Sequence, residues 1–237
     1  MNKQGNAYTF IYASVMVVIV AALLAFVSQA LKPQQERNEM VAKKMAILTS
    51  INIETTAGNA EEKFDQLVGE SSYIVNFKGE KVEGVAFNVD MAAELRKPLE
   101  DRNYPVFEAH LPEGGVKYII ELRGTGLWGP IWGYLSINED ANTIYGANFS
   151  HKGETPGLGA EIDKPEFQNQ FQGKQIFENG KLTGIQVIKG HSPEGSKHQV
   201  DGISGGTITS HGVENMLNSF FHGYESFLKN IERESHE

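Results

Sequence analysis

The sequence predicts an α+β protein: a single N-terminal transmembrane helix followed by one mixed α/β domain with a mostly antiparallel sheet. Three observations carry this reading. Of 237 residues, those from 4 to 31 hold no charge, whereas all 30 acidic residues lie after position 31. Beyond residue 59 short apolar runs are bounded by Gly, Asn, Asp or Pro, the punctuation of strands joined by turns. Regular helices do not separate those runs, which argues against a doubly wound parallel sheet.

After a short tail (residues 1–7), the helix is placed at 8–31. Phe10 to Val27 is apolar except for Tyr12 and Ser14, and the stretch supplies the roughly 20 residues that a bilayer span needs at 1.5 Å rise each. A cleaved secretory signal is the alternative, with Ser28-Gln29-Ala30 as a small-x-small site and Lys3 as a thin basic flank, although signal cores run only about 7–15 residues. A buried core helix is a third reading, and it would normally carry a polar stripe. Lys32, Arg37, Lys43 and Lys44 follow the span and only Lys3 precedes it, so the positive-inside rule places the domain in the cytoplasm. That rule weakens for long translocated domains.

Residues 32–58 read as a juxtamembrane helix and linker. Gln34 to Thr49 has helical spacing, with Met40, Val41, Lys44, Ile47 and Leu48 as a modest stripe and Pro33 at its start, and the linker falls at Thr55 to Asn59. The domain itself is placed at 59–237. Its expected strands are Tyr73–Phe77, Lys81–Phe87, Val116–Leu122, Ile131–Ile137, Thr143–Phe149 and Leu182–Ile188. Asn179-Gly180 between Glu178 and Lys181 suits a type I′ hairpin turn.

Charge and composition exclude several chemistries. With Lys3 set aside, 20 basic and 30 acidic residues leave a formal charge of −10 after residue 31, which argues against nucleic acid as a partner. There is no cysteine, so disulfides, thiolate nucleophiles and cysteine-held zinc or iron–sulfur clusters are ruled out. Redox chemistry, if present, belongs to an organic cofactor.

Three glycine-rich stretches stand out: 124–133, which holds both tryptophans; 153–159, Gly-Glu-Thr-Pro-Gly-Leu-Gly; and 201–210, Asp-Gly-Ile-Ser-Gly-Gly-Thr-Ile-Thr-Ser. Each alone reads equally well as turn chemistry; together they suggest a shared cavity, because glycine lets backbone approach a ligand closely. The third leads into an amphipathic helix with Val213, Met216, Leu217, Phe220, Tyr224, Phe227, Leu228 and Ile231 on one face. Thr209 or Ser210 is expected to cap it, with Glu214 in its first turn. A glycine-rich loop feeding a helix start suits an anion such as phosphate, yet the stretch is neither Gly-Lys-[Ser/Thr] nor GxGxxG. His151, His191, His198 and His211 lack metal-ligand spacing and read as surface or capping residues; Trp132 reads as core.

The residues 201–207, Asp-Gly-Ile-Ser-Gly-Gly-Thr, resemble the acceptor motif for covalent flavin attachment. The whole chain is similar to the C subunit of the sodium-translocating NADH:quinone oxidoreductase, a member of the FMN-binding domain family. The similarity rests on the span with its Leu-Lys-Pro, Gly-Leu-Trp at 126–128, the stretch 153–159, and Ser-Gly-x-Thr-x-Thr-Ser at 204–210. It implies FMN joined through its phosphate to Thr207 by a flavin transferase, with Asp201 positioning the motif and Ser204, Gly205, Gly206 and Ile208 around the attachment point. Thr155, Gly157, Leu158 and Gly159 are the implied contacts of the ring and ribityl chain, Trp128 packs near the ring, and His211 lies beside the phosphate. Where the family usually has alanine this chain has Gly206.

The implied function is one-electron relay toward ubiquinone within a respiratory sodium pump of the bacterial inner membrane, beside the pump's other subunits. The chain itself supplies neither catalytic group nor metal site, and its domain lies on the periplasmic face. Two alternatives remain: the flavin-bearing G subunit of an Rnf-type ferredoxin:NAD oxidoreductase, against which Gly-Leu-Trp weighs, and a non-redox, membrane-tethered ligand-binding module.

Overall fold

A computed structural model describes residues 5–234. Lys3 and residues 1–4 of the expected tail lie outside the described residues. The chain divides into two compact units, Met1–Lys43 and Lys44–Glu237.

The first element is one helix, α1 (Asn6–Ser50), with Pro33 inside it. The sequence placed Pro33 at the start of a second helix; instead the helix runs on, carried by the strong helix formers Gln34, Gln35, Glu36, Arg37 and Met40 that follow. Among the described residues this is the one helix long and apolar enough to cross a membrane, and none of its apolar window is buried. That exposure overturns the core-helix reading. Its last turn belongs to the second unit, where Ile47 and Leu48, with Ile51 just beyond, are fully buried. The second compact unit begins at Lys44.

The second unit is built on a six-stranded antiparallel sheet in the order β2-β1-β3-β4-β5-β6. The strands are β1 (Ser72–Val75), β2 (Lys81–Val82), β3 (Tyr104–His110), β4 (Val116–Thr125), β5 (Pro130–Asn138) and β6 (Ile144–His151). Two small pairs follow, antiparallel β7 (Phe177–Glu178) with β8 (Lys181–Leu182) and parallel β9 (Gln186–Ile188) with β10 (Gln199–Asp201). Helices α2 (Ala60–Leu67), α3 (Met91–Glu94), α4 (Pro165–Gln168) and α5 (Thr207–Glu234) complete the unit. Asn179 and Gly180 both have positive φ, 51° and 72°, as the β7–β8 turn requires.

Two expected strands are split or shortened. Lys81–Phe87 pairs only at Lys81–Val82 before a 3₁₀ turn at Ala86–Asn88, and Leu182–Ile188 breaks between β8 and β9 at Gly184, whose φ is +72°. Strand β3 is absent from the strands expected above, and it carries Pro105, a residue that interior strands disfavour. It is tolerated at the second residue, before the ladder to β4 begins at Val106.

Alternation along the strands sorts side chains onto two faces. Val106, Ile120, Leu122, Leu135, Ile137 and Phe149 pack with Val213, Leu217, Phe220 and Tyr224 of α5. Phe107, Ile119 and Tyr134 pack on the other face with Ile47, Leu48, Ile51 and Phe64. The sheet is therefore covered on both sides, α5 on one, α2 and the end of α1 on the other. Tyr224 ties helix to sheet by donating its buried hydroxyl to the Pro105 carbonyl at 2.6 Å.

The helix lies close to the sheet because glycines permit it. A Cβ on Gly212 would meet the Thr125 carbonyl oxygen at 2.5 Å, and one on Gly223 would collide with the Tyr104 ring. Gly223→Ala is expected to destabilise the domain by about 1–3 kcal/mol through overpacking, measured as a lowered denaturation midpoint of the full chain in detergent.

Candidate functional site

Strand β10 leads through residues 202–206 into α5, and the helix begins at Thr207. The first backbone bond of the helix runs from the Ser210 N–H to the Gly206 carbonyl at 2.9 Å, so the amides of Thr207, Ile208 and Thr209 precede the intrahelical ladder. Thr207 itself is exposed. The expected capping roles of Thr209 and Ser210 are not observed, because both lie inside the first turn and are buried. Ser210 Oγ accepts the Ile203 N–H at 3.0 Å, folding the loop back over the helix start. Glu214 lies beyond the first turn and accepts the Val187 N–H at 3.0 Å.

The three glycine-rich stretches converge on Glu154, a buried carboxylate in the second of them. Its Oε1 accepts the Trp128 N–H at 2.8 Å and its Oε2 accepts the Thr209 hydroxyl at 2.7 Å. Glycine is required around it: a Cβ on Gly126 would lie 2.6 Å from Oε1, and one on Gly159 would lie 2.5 Å from Oε2. The Glu154 N–H donates to His151 Nδ1 at 3.1 Å, while His151 Nε2 faces Asp163 Oδ2 at 3.6 Å. Leu158 closes the second stretch onto the third. Gly205, at φ +74°, leaves room for the Leu158 side chain, whose Cδ2 would be 2.6 Å from a Cβ there.

Beside Thr207 lies a cavity of about 380 Å³. Val187–His191 form one wall; the other is Asp201–Gly205 with Thr207, Ser210 and His211. Asp201 holds the walls together. Its carboxylate accepts the Ser192 N–H at 2.6 Å and faces His191 Nδ1 at 2.9 Å, and its backbone N–H donates to Gln170 Oε1 at 2.8 Å. The Ser192 amide first, and His191 second, hold the Asp201 carboxyl below its ordinary value of 3.8.

Next to these loops the surface is unusually apolar. Trp128 is 69% exposed and Ile208 59%, with Leu127 and Leu158 also exposed. Exposed apolar patches of this kind occur at ligand-binding grooves and protein interfaces.

Comparison with known proteins agrees with this arrangement. A crystal structure of the C subunit of the Na(+)-translocating NADH-quinone reductase from Parabacteroides distasonis is 49% identical and superimposes with a TM-score of 0.78, over 84% of this chain and 96% of that one. The chain belongs to the C-subunit family of the Na(+)-translocating NADH-quinone reductase. The C subunit of Pseudomonas aeruginosa is 28% identical over 98% of both chains. The crystal structure of NqrC from Shewanella oneidensis, at 24% identity and TM-score 0.71, covers 84% of this chain and 99% of its own and shares the fold. The family model described as FMN-binding domain matches residues 126–221.

Of the residues the family resemblance singled out, Asp201, Ser204, Gly205 and Thr207 line the cavity. Trp128, Thr155, Gly157, Leu158 and Ile208 lie outside it, exposed, and Gly159 and Gly206 are buried beneath. A Cβ on Gly206 would lie 2.9 Å from Ile203 Cγ2 and 3.2 Å from the Gly159 N, so this chain's glycine fits a tighter loop than alanine would. Trp132 is only partly buried rather than core, and strand alternation puts it on the same sheet face as Tyr134. His211 faces Glu214 at 3.5 Å and lines the cavity, His191 pairs with Asp201, and His198 Nδ1 lies 3.3 Å from the Gly184 carbonyl oxygen. Sequence reasoning missed Glu154, Gln170 and Ser192; only a lone acidic residue inside a glycine-rich stretch hinted at the first.

Because folding holds the proton off Asp201, its contribution is fully present above the ordinary value of 3.8 and is lost as pH falls through the lower folded value. Asp201→Asn is expected to lower the thermal midpoint at neutral pH. The gap from the parent chain should narrow on acidification below about pH 4, read by pH-dependent melting.

Proposed function

We propose that this chain is the flavin-bearing subunit of a Na(+)-translocating NADH-quinone reductase, with FMN held by a phosphoester to Thr207. The observation that carries the reading is the Thr207 hydroxyl: exposed, at the first position of α5, within the segment matched to the FMN-binding domain. The residues fit the group. The first-turn amides that precede the intrahelical ladder and the positive end of the helix suit a phosphate, and His211 stands at the cavity wall. The exposed faces of Trp128, Leu158 and Ile208 suit an apolar ring.

FMN, when bound, supplies one-electron redox chemistry between the NADH-oxidising subunits and ubiquinone. The chain contributes an anchor, an orientation and a partly dry surface, and it needs no acid or base of its own. A neutral threonine hydroxyl is a weak nucleophile, so the flavin transferase provides the activating base. Gly205 and Gly206 leave the loop thin enough for that enzyme to close around it.

The apolar part of α1 is the membrane anchor in the bacterial inner membrane, and the domain occupies the periplasmic side. The positive flank that argued otherwise is one residue smaller than the sequence count: Lys44 is folded into the domain, 3.3 Å from Asp65 Oδ1 and over the Phe64 ring, and the rule weakens for a long translocated domain.

Thr207→Val is expected to abolish covalent flavin, seen as loss of the mass gain of one FMN minus water. Stability should change by no more than about 0.5 kcal/mol, as for an exposed position. Flavin still bound covalently to the variant would sink the assignment. Protease added to intact spheroplasts is expected to digest the domain; a protected domain would reverse the proposed sidedness.

A further inference from the structure

The flavin reading leaves Glu154 without a task. It is 5% exposed, and among the described residues no Lys, Arg or His forms an ion pair with it. A buried carboxylate without a cation persists only where hydrogen bonds satisfy it. Here the donors come from two segments far apart in sequence, the Trp128 amide in the β4–β5 turn and the Thr209 hydroxyl in the first turn of α5. The glycines at 126 and 159 let backbone close in on both oxygens. The start of α5 adds the favourable end of a helix dipole.

Each partner sits beside a residue of the proposed flavin site. Trp128 donates with its backbone while its ring is 69% exposed. Thr209 is two residues after Thr207. One carboxylate therefore fixes both the point from which the Trp128 ring projects and the turn that carries the attachment hydroxyl.

We infer that Glu154 is the positioning residue of the flavin site, its carboxylate locking the Trp128 turn to the first turn of α5 so that the indole is held against an isoalloxazine ring tethered at Thr207. This rests on the proposal that Thr207 carries FMN, and the test separates the two. The lock is tested without flavin, the consequence with it.

Hydrogen exchange is measured on the full chain made without the transferase. Thr209→Val removes only the helix-side donor, yet is expected to speed exchange at the Trp128 amide across the site, and Glu154→Ala is expected to speed it roughly 10- to 100-fold, as for a lost hydrogen bond to a charged group. Glu154→Gln, whose amide accepts from Trp128 and donates to Thr209, is expected to restore protection. If Thr209→Val loosens α5 alone and leaves the Trp128 amide untouched, the lock is refuted. A Glu154→Ala chain that fails to fold leaves the Thr209→Val and Glu154→Gln results to decide it.

The consequence is read on the flavin-loaded chain, where an indole in contact quenches flavin fluorescence. Glu154→Ala is expected to brighten the flavin to the level of Trp128→Leu, and the double variant no further. Additive brightening, or none in Glu154→Ala, overturns the positioning role. A parent chain that gains no flavin mass beside its transferase defeats the functional reading instead, and the exchange result still decides the lock.

Discussion

The close approach of α5 to the sheet is the constraint on which the other features depend. A helix can lie with its second turn against a strand carbonyl only if the contacting residue has no side chain, and Gly212 meets Thr125 there. Farther along, Met216 fills the space above Gly124, and Tyr224 anchors the helix by its bond to Pro105. Between these points Val213, Leu217, Phe220 and Tyr224 bury an apolar face against the strands, the largest driving force available to the unit. The helix start is thereby carried to the end of the sheet where β4 turns into β5, and its first turn is joined to the Trp128 amide through Glu154.

Once the helix is so placed, three loops must share a small volume, and glycine is what lets backbone fit within it. The buried Glu154 carboxylate gives that volume a polar centre with both oxygens bonded. An apolar residue at this position would strand the Trp128 amide and the Thr209 hydroxyl, each costing about 1–3 kcal/mol when buried without a partner. Leu158 over Gly205 and Ser210 bonded to Ile203 close the remaining sides. The result is an exposed hydroxyl on a firmly held turn, bordered by apolar side chains on one flank and by a cavity on the other.

Much of this was legible in the residues. Apolar length exposed the long first helix, turn punctuation gave four of the six sheet strands near their observed bounds, and the i, i+3, i+4 pattern gave most of the buried face of α5, missing Phe221 and including Ile231, which is only partly buried. Most of the failures share a cause. Pro105 in β3 and Thr209 and Ser210 inside the first turn of α5 each obey a tertiary demand that overrides a local preference, whereas Pro33 is carried within α1 by the helix formers that follow it. Lys44 counted as a flanking charge in the sequence and proved to be a domain residue for the same reason.

By itself, then, the sequence determined the uncharged apolar helix, the absence of thiol chemistry and the antiparallel α+β class, because these depend on residue type and on short-range spacing. Only the tertiary structure decided that a glutamate at 154, an amide at 128 and a hydroxyl at 209 form one hydrogen-bonded unit. Their contact spans 26 residues on one side and 55 on the other, and partners that far apart are brought together by the packing of α5 on the sheet, which no local pattern encodes.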